Sequence, residues 1–129
     1  MKQTTKRLKP GEDLREEIEK IVKENDIQAG CILSVVGSLS RASLRMADGK
    51  KIKSWDKPFE IVAGTGTVSV NGCHIHIAIS DNDGNVFGGH LKEGCVVRTT
   101  AEIVLLVFSE AKYKRIFDEE TGYNELKVE

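Results

Sequence analysis

All three histidines of the chain lie within the eighteen residues from His74 to Leu91, HIHIAISDNDGNVFGGHL. His74 and His76 stand two apart, the spacing that puts both imidazoles on one face of a β-strand. Asp81-Asn82-Asp83-Gly84-Asn85 has the composition of a turn, and His90 follows on what reads as the returning strand. Pairing parity then applies. A hairpin centred on Asn82 or Asp83 sets His90 opposite His74 or His76 and on their face. A loop with an even number of residues turns it away. Gly88-Gly89, just before His90, could host a bulge that upsets the count. Three converging imidazoles suit a divalent transition metal, zinc first. The plain alternative is a set of solvated histidines on a polar strand face with no ligand.

The residues before this stretch lead to the same face. Val70-Asn71-Gly72-Cys73 carries a two-residue Asn-Gly hairpin signal. That turn pairs Ser69 with His74, Thr67 with His76 and Thr65 with Ala78. Thr65, Thr67, Ser69, His74, His76, Ala78 and Ser80 then share the polar face. Val68, Val70, Cys73, Ile75, Ile77 and Ile79 form the apolar face and belong to the core.

The elements that must position this stretch come next. At 129 residues, with 40% hydrophobic and 30% charged residues, the chain reads as one domain over 1–129, long enough for a core without staples. A formal net charge of −1 exerts no global pull toward nucleic acid or anionic membrane. No apolar run reaches transmembrane length and no signal-peptide core opens the chain, so the expected address is the cytoplasm. Cys31, Cys73 and Cys95 are odd in number, widely spaced and set in apolar runs. They read as buried reduced thiols rather than a disulfide framework.

Arg7-Leu8-Lys9 reads as an edge strand leading into Pro10-Gly11. Glu12 to Asn25 follows as an amphipathic helix with Leu14, Ile18, Ile21 and Val22 on one stripe and a solvated charged outer face. Cys31 to Val36 is a buried strand stopped at Gly37-Ser38. Arg41 to Met46 and Lys51 to Trp55 flank Asp48-Gly49, a second hairpin signal. Lys50, Lys51, Lys53 and Lys57, with Arg41 and Arg45 nearby, form the most basic part of the chain. Interleaved with Trp55 they could contact nucleic acid, but lysines commonly decorate exposed hairpins for edge protection, and that reading is preferred. Phe59 to Val70 is a long strand interrupted by Gly64 and Gly66, which mark a bulge or a close backbone approach. Cys95 to Phe108 is the most β-prone run. Its Glu102 is costly if buried alone. It is therefore the candidate to orient a histidine, accept a proton, or pair with an arginine. Arg115 to Tyr123 reads as a closing strand and turn before a polar tail. The fold expected is α/β of the α+β type, a mostly antiparallel sheet with one or two packed helices.

Several segments then line up in order over nearly the whole chain: Pro10-Gly11-Glu12-Asp13, Gly37-Ser38-Leu39-Ser40-Arg41-Ala42, Leu44-Arg45, Gly64-Thr65-Gly66-Thr67, His74-Ile75-His76, Gly88-Gly89-His90-Leu91 and Glu93-Gly94. Together they resemble the plants-and-prokaryotes-conserved (PPC) domain, also met joined to AT-hooks in plant nuclear proteins. The resemblance implies a compact α/β domain that assembles as a homotrimer. For stand-alone prokaryotic members it implies a metal held by three histidines, which carry over to His74, His76 and His90. The plant proteins bind DNA through Arg-Gly-Arg-Pro hooks outside the domain, and that motif does not occur here.

Three functions follow as expectations. The leading one is a homotrimeric binding or assembly module with a zinc or other divalent-metal site and an unidentified small-molecule ligand. The second is a metal-dependent enzyme of hydrolytic or lyase type, with Glu102 as acid or base and the Thr65–Thr67 strand as a substrate wall. The third, DNA binding by analogy with the plant relatives, is disfavoured by the charge balance.

Overall fold

The computed structural model describes residues 1–129. The apolar stripe Leu14, Ile18, Ile21 and Val22 forms a single helix, α1 (Leu14–Glu24), with all four side chains buried. Asp13 caps it: its carboxylate accepts the Glu16 N–H at 3.0 Å and, with its other oxygen, the Gly94 N–H at 2.7 Å. One residue thus starts the helix and pins that start to the turn between the strands that carry His90 and Glu102.

The strands are β1 (Lys2–Leu8), β2 (Ala29–Arg45), β3 (Ile52–Trp55), β4 (Phe59–Ser69), β5 (Gly72–Ser80), β6 (Val86–Leu91), β7 (Val96–Val107), β8 (Tyr113–Asp118) and β9 (Tyr123–Val128). Seven of them make one sheet in the order β1-β7-β2-β4-β5-β6, with β3 on β2, and every pairing is antiparallel. β8 and β9 form a separate hairpin. The fold is α+β and mostly antiparallel, as the sequence pattern predicts, with one helix. No helix is long and apolar enough to cross a membrane.

β2 organises the sheet. It does not stop at Gly37-Ser38 but runs for 17 residues. Register shifts against β7 at Ile32/Ser34, Gly37/Leu39 and Leu39/Arg41 bend it on the way. Gly37 allows the continuation because β7 passes so close that a Cβ there would lie 2.1 Å from the Thr100 carbonyl oxygen. Nor is the first half fully buried, since Leu33 and Val36 remain 59% and 51% exposed. Beyond the bend, β2 leaves β4 and takes up β3 and β6, with Leu44 opposite Leu91 and Arg45 opposite His90. The sheet curls until its far strand meets its middle one. Ile61, Val68, Ile75, Ile77, Ile79, Leu91, Ile103 and Leu105 fill the inside together with the α1 stripe.

The β4–β5 turn differs from the Asn-Gly expectation. Val70-Asn71 are the loop residues, with Ser69 opposite Gly72, Thr67 opposite His74 and Thr65 opposite His76. Ser69 Oγ donates to the Gly72 carbonyl at 2.6 Å. The Asn71 side chain is spent elsewhere: it donates to the Arg115 carbonyl and accepts the Arg115 N–H, at 2.9 and 2.8 Å. The register moves by two residues along the partner strand, which preserves the face of every side chain. Val70 at the tip is exposed rather than core.

The terminal residues are also more ordered than the expected polar tail. Tyr123–Val128 is strand β9, paired with β8 from Tyr123–Asp118 to Val128–Tyr113.

β4 and β5 approach closely at Gly66. An added Cβ would lie 2.3 Å from the His74 carbonyl oxygen and 2.8 Å from Ile75 Cα. Both are backbone atoms and cannot yield alone. Gly66→Ala is therefore expected to destabilise the domain by about 1–3 kcal/mol, read as a lowered urea midpoint. A midpoint equal to wild type would contradict this packing.

Candidate metal centre

The β5–β6 turn decides where His90 points. Ser80 pairs with Val86, leaving five loop residues, 81–85, centred on Asp83. The Asp81 carboxylate fixes that length by accepting the Asp83 and Asn85 N–H groups, each at 2.9 Å, and Gly84 takes the left-handed conformation at φ +81°. With the loop odd, His90 falls opposite His76 and on its face. Gly88-Gly89 stays in register and introduces no bulge. Gly89 instead admits β2, since its Cβ would lie 2.7 Å from the Arg45 carbonyl oxygen.

His74, His76 and His90 consequently form one cluster. Their ring centroids are 4.8, 5.4 and 5.6 Å apart, and one ligating nitrogen from each lies within 4.8 Å of the others. His74 Nε2 and His76 Nε2 are 3.2 Å apart. A tetrahedral ion with nitrogens at about 2.0–2.1 Å holds them roughly 3.3 Å apart, so this pair already has the spacing of two ligands. The third ring needs a movement of about 1–2 Å to complete such a set. His90 Nδ1 is buried without a hydrogen-bond partner, a costly state that a ligand or a bound proton acceptor relieves. The donor set fits a divalent transition metal.

Electrostatics favour the neutral form of His90 and His74. Burial, followed by the Arg45 and Arg15 charges, pushes the His90 imidazole down to about 4. Burial and then the neighbouring His76 lower His74. A neutral imidazole is the form that coordinates.

Around the cluster stand arginines whose roles the sequence pattern did not reveal. Arg15 of α1 donates to the Leu91 carbonyl at 2.7 Å, approaches His90 Nε2 at 3.4 Å, and pairs with Glu19 at 3.0 Å. It was expected on a solvated helix face, yet its side chain is only 19% exposed. Its position one turn before Ile18 and Glu19 and two turns before Val22 places it at the border of the buried stripe. Arg45 lies directly opposite His90 through the β2–β6 pairing, a contact between distant segments with no local signal.

Glu102 does not join the histidines within the chain. It is exposed on β7, opposite Arg7 on one side and Val36 on the other. Two strands, β2 and β4, separate it from β5, on the order of 14 Å at ordinary strand spacing. It forms no ion pair. Of its expected arginine partners, Arg41 is engaged by Asp56.

The basic hairpin also separates into parts. Arg41 pairs with Asp56, and Lys57 pairs with Asp81 while lying 5.5 Å over the Phe59 ring. Trp55 packs against Phe59 and Phe87 at 5.9 and 5.5 Å, which ties it into an aromatic cluster. The three cysteines are free thiols, Cys73 and Cys95 buried and Cys31 half-buried. Burial raises Cys73 and Cys95 to about 11, which keeps them protonated and unreactive.

The fold and the cluster together define a class: a small α+β domain with a curled antiparallel sheet that displays three imidazoles in ligating proximity. The chain belongs to the Plants and Prokaryotes Conserved (PCC, or PPC) domain family, whose profile matches residues 1–109. It is 45% identical over 123 residues, 95% of its length, to the bifunctional protein GlmU of Synechococcus sp. (strain JA-3-3Ab), of which it spans a fifth. A hypothetical protein of Salmonella enterica superposes with a TM-score of 0.95 at 33% identity, covering 99% of this chain and 93% of that one. A metal-containing protein of Archaeoglobus fulgidus superposes at 0.85 with 32% identity, covering 98% and 94%.

A pH dependence follows from His90. Its imidazole titrates near 4 in the folded chain against an ordinary value of 6.5, so below pH 6.5 the unfolded state binds the proton more readily. Its contribution to stability is intact above about 6.5 and is lost as pH falls toward 4. Metal-free wild type should lose melting temperature between pH 7.5 and 4.5 more steeply than His90→Gln. Equal slopes would show that His90 is not held neutral by its surroundings.

Proposed function

We propose that the chain is a homotrimeric metal-binding module in which His74, His76 and His90 hold one divalent ion, zinc first, next to a ligand cavity. The observation that carries this reading is the convergence of three imidazoles from paired strands, two of them already 3.2 Å apart. The metal-containing A. fulgidus relative supports it at 32% identity. His74, His76 and His90 would be its three protein ligands, and an ion held there could supply Lewis-acid activation of a water or a substrate oxygen.

Assembly has its own support. Leu33, Val36 and Val62 are 59%, 51% and 53% exposed on β2 and β4, and the pairing of Gly37 with Ile61 sets Val36 beside Val62. Apolar residues grouped on one sheet face suit burial against a second copy. Glu102, opposite Val36, lies on that same face. The match to one fifth of a longer bifunctional protein supports a unit that works as a module attached to other domains. We place it in the cytoplasm, since free buried thiols suit a reducing compartment.

The enzymatic reading loses Glu102 within the protomer and passes to Glu125, which lines the cavity beside His74 and His90. DNA binding is left with Lys50, Lys51 and Lys53, an ordinary exposed hairpin.

The test uses two variants. His76→Ala is expected to abolish the binding of one zinc per chain while the fold persists. Glu102→Gln is expected to leave zinc binding unchanged and to weaken an assembly of three times the 14.3 kDa chain mass, read by sedimentation. Wild type that takes up no zinc, or sediments as a monomer at micromolar concentration, would refute the corresponding half of the proposal.

A further inference from the structure

A cavity of about 620 Å³ opens beside the histidines. Arg45 comes to it from β2, Arg15 from α1, His90 from β6, His74 from β5, and Arg115 with Glu125 from the β8–β9 hairpin. We propose that this cavity is an oxyanion site. Arg45 and Arg115 bind the carboxylate or phosphoryl group of a small molecule whose other end reaches the three-histidine centre. The second half rests on the metal reading above, and the first half stands without it.

Charge is the first argument. Arg15, Arg45, Lys92 and Arg115 meet only Asp48 and Glu125 in this cavity, although the whole chain is slightly acidic at −1. Asp48 is already engaged, accepting the Lys50 and Lys51 N–H groups at 3.0 and 2.9 Å. The cations therefore outnumber the carboxylates free to answer them.

Unspent donors are the second. Arg15, Arg41 and Lys57 have acidic partners in Glu19, Asp56 and Asp81. The Arg45 guanidinium has neither an ion pair nor a hydrogen bond and stands 5.8 Å from the Tyr123 ring. Arg115 makes one side-chain hydrogen bond, to Thr67 Oγ1 at 2.6 Å, and its Nε is buried with no partner. A guanidinium presents five donors in a planar fork suited to carboxylate and phosphate. Holding two of them in a concavity with so few partners costs free energy that an oxyanion would recover.

Position is the third. Arg45, His90, His76 and Thr65 form one cross-strand row over β2, β6, β5 and β4. Arg45 is thus one strand away from a candidate ligand, about 5 Å at ordinary spacing. That separation suits a ligand with an anionic group at one end and an oxygen donor at the other. A volume near 620 Å³ lies within the ordinary range for small-molecule sites. The charge also lies inside the concavity, where a duplex phosphate backbone would need it along an open face.

One wall is held in place independently. Asn71 clamps the Arg115 backbone, and Tyr123 Oη reaches the Gly49 carbonyl at 3.5 Å. This hairpin lies beyond residues 1–109 of the family match, while the S. enterica and A. fulgidus structures, which cover 99% and 98% of the chain, extend over it.

The test measures binding of inorganic phosphate and of malonate to the full chain by titration calorimetry, zinc-free and zinc-loaded, at ionic strength fixed with chloride. Wild type should bind one of the two, and the preferred probe assigns a phosphoryl or a carboxylate ligand. Arg45→Gln and Arg115→Gln should each weaken that binding about 10–100-fold with zinc content and melting temperature retained. Arg41→Gln, on a surface pair, should bind as wild type. Binding of neither probe above the chloride background, or equal binding by Arg45→Gln and wild type, would overturn the site. If His76→Ala loses zinc and still binds the anion when zinc-free, the oxyanion site stands apart from the metal. If wild type binds the anion and never takes up zinc, the metal reading alone fails.

Discussion

The site depends on one register, the pairing of His76 with His90 across a five-residue turn. Side chains along a strand alternate with a period of two, so a one-residue change in that loop would send His90 into the apolar core and an aliphatic neighbour out. Asp81 prevents the change by taking two backbone N–H groups of the loop at once. The apolar side of the same strands enforces the register from below, because Cys73, Ile75, Ile77 and Ile79 are buried and none can exchange faces. Geometry at the surface is thus secured by burial beneath it.

The second constraint is the curl of the sheet. β2 bends through three register shifts and pairs with both β4 and β6, so a strand far away in sheet order is returned to its middle. Only this return places Arg45 beside His90. α1 is drawn to the same place by Asp13, whose carboxylate caps the helix and holds Gly94, bringing Arg15 over the cluster. Three distant segments meet there: helix start, strand end and hairpin.

Much of this was legible from local pattern. Counting puts His74 and His76 on one face and His90 with them only for an odd-numbered, bulge-free return, and the stripe Leu14, Ile18, Ile21 and Val22 gives the helix and its buried side. The turn at Val70-Asn71 was not legible, because the preference of Asn-Gly for the turn was outweighed by the bonds Asn71 makes to Arg115, a residue 44 positions away. β9 was invisible for another reason: all six of its residues are exposed, so it shows no apolar alternation for a pattern to detect. Gly37 reads as a stop from sequence, yet it lets β2 continue alongside β7. Glu102 looked costly in an apolar run, and its exposure removes that cost within the chain.

The central claim is that these three imidazoles form one metal centre with a position left open. X-ray absorption at the zinc edge of the zinc-loaded chain tests it most directly. The account predicts three imidazole nitrogens at about 2.0–2.1 Å and one further light atom. Sulfur scattering at about 2.3 Å, which would bring a cysteine into the set, or fewer than three imidazoles around the ion, would contradict it.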